Sequence, residues 1–121
     1  MAENINLELS SQTTSSWLMK KILVGSDVDQ KNNRLRLPKR EFEEFVIPEM
    51  EWGLVENLEK SVEVIVKDVK GTDYHVTLVK YQNGSYNFVD KWNDIVKAKG
   101  LKEGDQITLM WDKDAEIFYI M

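Results

Sequence analysis

Apolar and polar residues alternate along this chain in short runs, and the runs are punctuated by turn residues. Trp17-Leu18-Met19-Lys20-Lys21-Ile22-Leu23-Val24 is apolar and β-branched enough to predict a strand. Gly25 to Asn33, rich in Ser, Asp and Asn, reads as a loop. Arg34-Leu35-Arg36-Leu37 alternates with period two, the mark of a short half-buried strand. Pro38 suits the first turn of a helix, and Phe42, Phe45 and Val46 then share one face of a short helix ending near Pro48. Glu49 to Lys60 is an acidic connector without a clear period.

The second half reads more regularly. Val62 to Val69 is a strand, Lys70-Gly71-Thr72-Asp73 a turn, and Tyr74 to Tyr81 the next strand. Asn83-Gly84 predicts a tight hairpin with positive φ at both positions, and Ser85 to Val89 returns as its partner. Asp90 is placed to cap a helix over Lys91 to Lys99, with Trp92, Ile95 and Val96 inward and Gly100 as its stop. After a turn at Leu101 to Asp105, Gln106 to Trp111 and Ala115 to Ile120 form a last hairpin across Asp112-Lys113-Asp114. This pattern predicts about seven short strands and two short helices, which favours a barrel or sandwich over a parallel sheet. No internal repeat is present.

Composition changes this picture little. At 121 residues the length fits one domain with a real core. Ser10 to Ser16 is small and polar, so residues 1–16 read as a flexible lead-in and the fold as beginning near Trp17. Met1 to Glu8 carries no basic stretch or long apolar stretch of a secretory signal, and no run approaches a membrane span. With no cysteine and one histidine, disulfides, thiol catalysis and Cys-based zinc sites are excluded.

Charge changes it more. The chain carries a net charge of −5, yet Lys20 to Arg40 holds seven Lys/Arg against two Asp, and Glu41 to Glu63 holds eight acids and one Lys. A basic island on an acidic chain suggests a focused anion contact rather than indiscriminate binding to polyanions. Enzymatic readings find little support. Asp27-x-Asp29-x-Lys31 resembles the start of an EF-hand loop, but Asn32 stands where Gly is needed and Pro38 where Glu is needed. No phosphate-binding Gly loop or Ser/His/Asp arrangement is evident, and Glu43-Glu44 reads as solvated charge on a helix. His75 reads as a strand residue without chemistry, and Trp92, Trp111, Phe42 and Phe45 as core.

Ser26-Asp27-Val28, then Asn33-Arg34-Leu35-Arg36-Leu37-Pro38-Lys39, then Trp92 leading a helix, then Leu101-Lys102-Glu103-Gly104-Asp105, occur in an order that resembles the plant B3 DNA-binding domain, over about residues 17 to 120. Its long acidic connector is most similar to the divergent subgroups. The resemblance implies a mainly β fold: a seven-stranded open β-barrel, or pseudobarrel, with two short α-helices. It also implies a two-armed grip on the major groove of double-stranded DNA, as the recognition domain of a transcription factor in a plant nucleus. Pro38-Lys39-Arg40 by itself is too short for a targeting signal. Further partners it implies are other transcription factors or a second copy; it implies no cofactor, metal or catalysis.

The first arm would be the loop and strand start. There Arg34 and Arg36 suit guanine or phosphate, and Gln30, Asn32 and Asn33 suit adenine or the backbone. Lys21, Lys31 and Lys39, with Lys20 and Arg40, would neutralise phosphates, and Ser26 belongs to the same loop. The second arm would be Val79 to Ser85, where Lys80, Tyr81, Gln82, Asn83 and Ser85 offer one charge, one ring and three amide or hydroxyl groups. The alternative is a B3-like fold that kept its barrel as a protein-interaction module, its acidic connector and Trp52 facing a basic partner.

Overall fold

The computed structural model describes residues 18–121; the lead-in, the N-terminal segment and Trp17 lie outside the described residues. In chain order the elements are β1 Leu18–Ile22, α1 Gly25–Val28, β2 Arg34–Arg36, α2 Lys39–Glu41, α3 Trp52–Glu56, β3 Val62–Lys67, β4 Asp73–Lys80, β5 Tyr86–Val89, α4 Trp92–Lys99, β6 Gln106–Asp112 and β7 Ile117–Ile120. The expected seven strands are present. They form one curled sheet in the order β1-β6-β7-β3-β4-β5-β2, antiparallel except where β3 runs parallel to β7.

Alternation decides which face of each strand is buried. Met19, Leu35, Val64, Val66, Val76, Leu78, Phe88, Ile107, Leu109, Phe118 and Ile120 all turn into one core. Phe118 lies at its centre, with ring centroids 5.1 Å from Phe88 in an edge-on arrangement and 4.8 Å from Trp111.

The barrel stays open because β1 and β2, the two ends of the sheet, do not pair. A side-chain clasp spans the seam instead. Asp27, 1% exposed, accepts from the Val24 N–H at 2.9 Å and from the Arg36 N–H at 3.3 Å, and pairs with the Lys21 ammonium at 3.0 Å. Lys21 in turn donates to the Arg36 carbonyl. The backbone groups that Arg36 turns toward the open edge are thus both satisfied, one by each member of the ion pair.

Several expectations are corrected. The region read as a loop after Gly25 contains the short helix α1, and α3 folds within the acidic connector, so there are more than two short helices. After α2 the chain widens into a π-helical turn, Phe42–Val46, then a 3-10 turn, Ile47–Glu49. Pro48 has no N–H to continue an α-helical ladder. The wider turn aligns Phe42 and Val46 on the core and leaves Phe45 only partly buried. At the hairpin tip only Gly84 has positive φ, at 88°. Tyr81 N–H bonds the Ser85 carbonyl and Gly84 N–H bonds the Tyr81 carbonyl, a three-residue loop with glycine at the left-handed position. Asp90 does not cap α4: it takes φ +54°, and its carboxylate accepts from the Thr77 hydroxyl at 2.8 Å. Gly100 does end α4, at φ +61°.

Candidate nucleic-acid interface

The basic island becomes one side of a short, three-strand surface. β2 lies against β5, with Arg34 opposite Val89 and Arg36 opposite Asn87, and β5 lies against β4. The first arm enters at the Arg34 end of β5, and the hairpin Tyr81–Ser85 leaves from the other end. From the Val89 level to Ser85 is four residues of extended chain, about 13 Å at ~3.3 Å per residue, close to the ~12 Å width of a B-DNA major groove.

Arg34 and Arg36 share a strand parity, with Leu35 between them wholly buried. Arg34 is half-buried and Arg36 exposed. The ion pairs among the described residues use Lys21, Arg40, Lys67 and Lys113 and leave Lys31, Arg34, Arg36, Lys39 and Lys80 outside them. Ser26, Gln30, Lys31 and Asn32 are exposed on the loop. Asp29 organises that loop: its carboxylate accepts from Lys31 N–H at 2.9 Å, and its carbonyl from Asn32 and Asn33 N–H. The Asn32 side chain donates to the Ser26 carbonyl at 3.2 Å.

Two predicted contacts are engaged inside the protein. Lys21 belongs to the seam clasp. Burial lowers its pKa from the usual lysine value, opposed by Asp27 and assisted by the charges of Arg34 and Arg36. Asn33 takes φ +45°, a conformation asparagine tolerates, and its side-chain oxygen accepts from the Asn93 N–H at 2.8 Å. That is the cap of α4, supplied across the fold.

The second arm is internally braced. The Asn83 side-chain oxygen accepts from Ser85 N–H at 2.9 Å and from its hydroxyl at 2.7 Å, and Asn87 donates to the same hydroxyl at 3.0 Å. Tyr81 and Gln82 are exposed at the tip. Lys80 follows the parity of the core-facing Leu78 and Val76, and its ammonium lies 5.6 Å from the centre of the Tyr86 ring. It therefore does not share the parity of Arg34 and Arg36. Tyr86 is 4% exposed and donates its hydroxyl to Glu43 at 2.9 Å. Burial, then the Glu43 carboxylate, pushes its pKa up to about 12. Charge missing from the hairpin is partly supplied by Lys39: its ammonium lies 3.0 Å from where a Cβ on Gly84 would stand. The basic surface ends sharply. Beyond Val89 the same cross-strand row continues to Thr77 and Glu63, where Glu63 pairs with His75 at 2.8 Å and Asp90 lies bound to Thr77.

Reading residues in isolation missed Asp27 and the Trp92-Asn93 pair, which hold the first arm in place. Asp27 stood in the sequence only as a member of the Ser26-Asp27-Val28 motif and of an EF-hand-like start; its burial shows the structural role. Trp92, read as core, is fully buried and also donates its indole N–H to the Asp27 carbonyl at 2.8 Å.

An open seven-stranded half-barrel with a loop–strand–helix arm beside a hairpin is a DNA-binding transcription factor fold found in plants. The family model described as the C-terminal domain of B3 domain-containing protein At5g26805 matches residues 17–121, and the chain belongs to the B3 domain family. It is 66% identical to B3 domain-containing protein At3g28853 of Arabidopsis thaliana over the full length of both chains. It is 44% identical to At1g10455 of the same plant, over 92% of this chain and 75% of that one. Among solved structures it resembles the Arabidopsis FUS3–DNA complex, with 25% identity, a TM-score of 0.65, and 84% of this chain and 91% of that one covered. The fold is also that of the LEC2–DNA complex of Arabidopsis thaliana, at 22% identity, a TM-score of 0.60, and coverage of 86% and 92%.

Proposed function

We propose that residues 17–121 recognise double-stranded DNA through its major groove, as the DNA-binding domain of a transcriptional regulator acting in the nucleus and not as an enzyme. One observation carries the reading: Arg34 and Arg36 stand on a strand paired to β5, between two loops about 13 Å apart at ~3.3 Å per residue, a span matched to the groove. Likeness to a protein solved with DNA supports it. Arg34 is the main base-reading group. Arg36, Lys31 and Lys39 contact phosphate, and Ser26, Gln30 and Asn32 lie along the same loop. Tyr81, Gln82 and the Asn83 amide meet the opposite wall, while Lys21, Asn33, Lys80 and Ser85 support the arms more than they touch DNA. Few free cations on a chain of net charge −5 imply modest affinity and a shallow salt slope, so a second copy or another transcription factor adds grip.

Selection from a random duplex pool at ~50 mM salt, followed by anisotropy with the enriched sequences, tests this. Enrichment of one sequence family, lost in Arg34→Ala, is expected. No enrichment and no binding to bulk DNA would overturn the reading in favour of a protein-interaction module.

A further inference from the structure

The first arm is tied down from outside itself, by the start of a helix that has no place in either arm. Three bonds reach it from two consecutive residues of α4: the Trp92 indole N–H to the Asp27 carbonyl at 2.8 Å, the Asn93 side-chain N–H to the Gln30 carbonyl at 2.8 Å, and the Asn93 backbone N–H to the Asn33 side-chain oxygen at 2.8 Å. These anchors fall at the beginning, middle and end of the loop that leads into Arg34. The asparagine amide can take only one orientation there. Turned over, it would set its oxygen against the Gln30 carbonyl. In the orientation observed, its own oxygen is buried without a hydrogen-bond partner.

We propose that Asn93 is a positioning residue for DNA recognition: it touches no DNA, and it sets the height and angle at which Gln30 to Arg34 enter the groove. The exposed loop has few other restraints. Its start is also held to the barrel by the Asp27 carboxylate, through Lys21 and the Arg36 N–H. From Asp29 to Asn33 the remaining bonds are local, through Asp29 and between Asn32 and Ser26, and they hold its shape without fixing it to the barrel. Asn93 alone fastens the middle of the loop, and through Asn33 it fastens the residue before Arg34.

The consequence for binding rests on the DNA-recognition reading; the restraint itself does not, and the two are tested separately. Asn93→Ala removes the side-chain donor at a half-buried helix position where alanine is a better helix former, so the fold should survive. Hydrogen exchange on the free protein should show the amides of Lys31, Asn32 and Asn33 opening roughly two- to tenfold faster, the worth of one hydrogen bond. Anisotropy should show the selected duplex binding weaker by the same roughly two- to tenfold, while random duplex affinity and the salt slope stay at wild-type values. A merely structural role would instead lower the melting temperature and weaken both duplexes equally, and that result overturns the proposal. Unchanged exchange in the loop also overturns it. If the wild-type protein enriches no duplex, the DNA reading fails, and exchange in the loop still decides whether Asn93 restrains the arm.

Discussion

Removing the carboxylate of Asp27 should open the seam of the barrel. Its side chain has no exposure, and its two oxygens receive the Lys21 ammonium at 3.0 and 3.2 Å, the Val24 N–H at 2.9 Å and the Arg36 N–H at 3.3 Å. In Asp27→Ala two backbone donors and an ammonium only 16% exposed lose their partner together. Breaking a buried pair from one side costs about 3–5 kcal/mol, a large part of the ~5–15 kcal/mol that holds a domain folded. The melting temperature should fall by roughly 12 °C or more, at ~4 °C or more per kcal/mol for a domain of this size. Lys21→Met should also destabilise by several kcal/mol, because it leaves the fully buried Asp27 carboxylate with two N–H donors but no cation and the Arg36 carbonyl without its donor. The pH dependence carries a sign. Lys21 has a lowered folded pKa, so between that value and the unfolded 10.5 the unfolded chain binds more protons, and this group makes stability rise with pH. Lys21→Met should abolish that rise. Urea unfolding followed by tryptophan fluorescence, on both single variants and the double variant across alkaline pH, measures each quantity. A loss below ~1 kcal/mol for Asp27→Ala, or single-variant losses that simply add in the double variant, would refute the clasp.

Tyr86 should ionise near pH 12 in an ultraviolet titration. Its raised folded pKa makes stability complete below pH ~10 and lost as pH climbs toward 12, opposite in sign to Lys21. Glu43→Gln should bring that ionisation down part of the way. Gly84→Ala forces a left-handed residue to carry a Cβ against the Lys39 ammonium, so it should destabilise by about 1 kcal/mol or more in chemical denaturation. In binding assays Arg34→Ala should cost ~1–3 kcal/mol on the selected site and relax sequence preference, whereas Lys39→Ala should weaken all duplexes alike and reduce the salt slope by about one.

Much of the barrel was legible because alternation is a local code. Arg34-Leu35-Arg36-Leu37 announces which side faces the core whatever lies beside it, and Gly100 announces a helix end by its tolerance of positive φ. The ordered pair of motifs disclosed the family for the same reason. Phe45 misled because a period assumes an α-helix, and Pro48 imposes a wider turn that rotates it outward.

By itself, then, the chain determined its strands, their buried faces, its turns and the location of its basic island. Tertiary structure alone decided what the polar residues of that island do. Lys21 and Arg36 lie 15 residues apart, Asn93 and Gln30 63 apart, and they meet because the sheet, with β1 and β2 at its two ends, curls until those ends face each other, and because the start of α4 lies against the loop. A lysine or an asparagine has the same hydrogen-bonding groups whether it faces a phosphate, a base or its own backbone. Which of these it meets depends on long-range geometry, and so Asn33 could read as a base contact and fold as a helix cap.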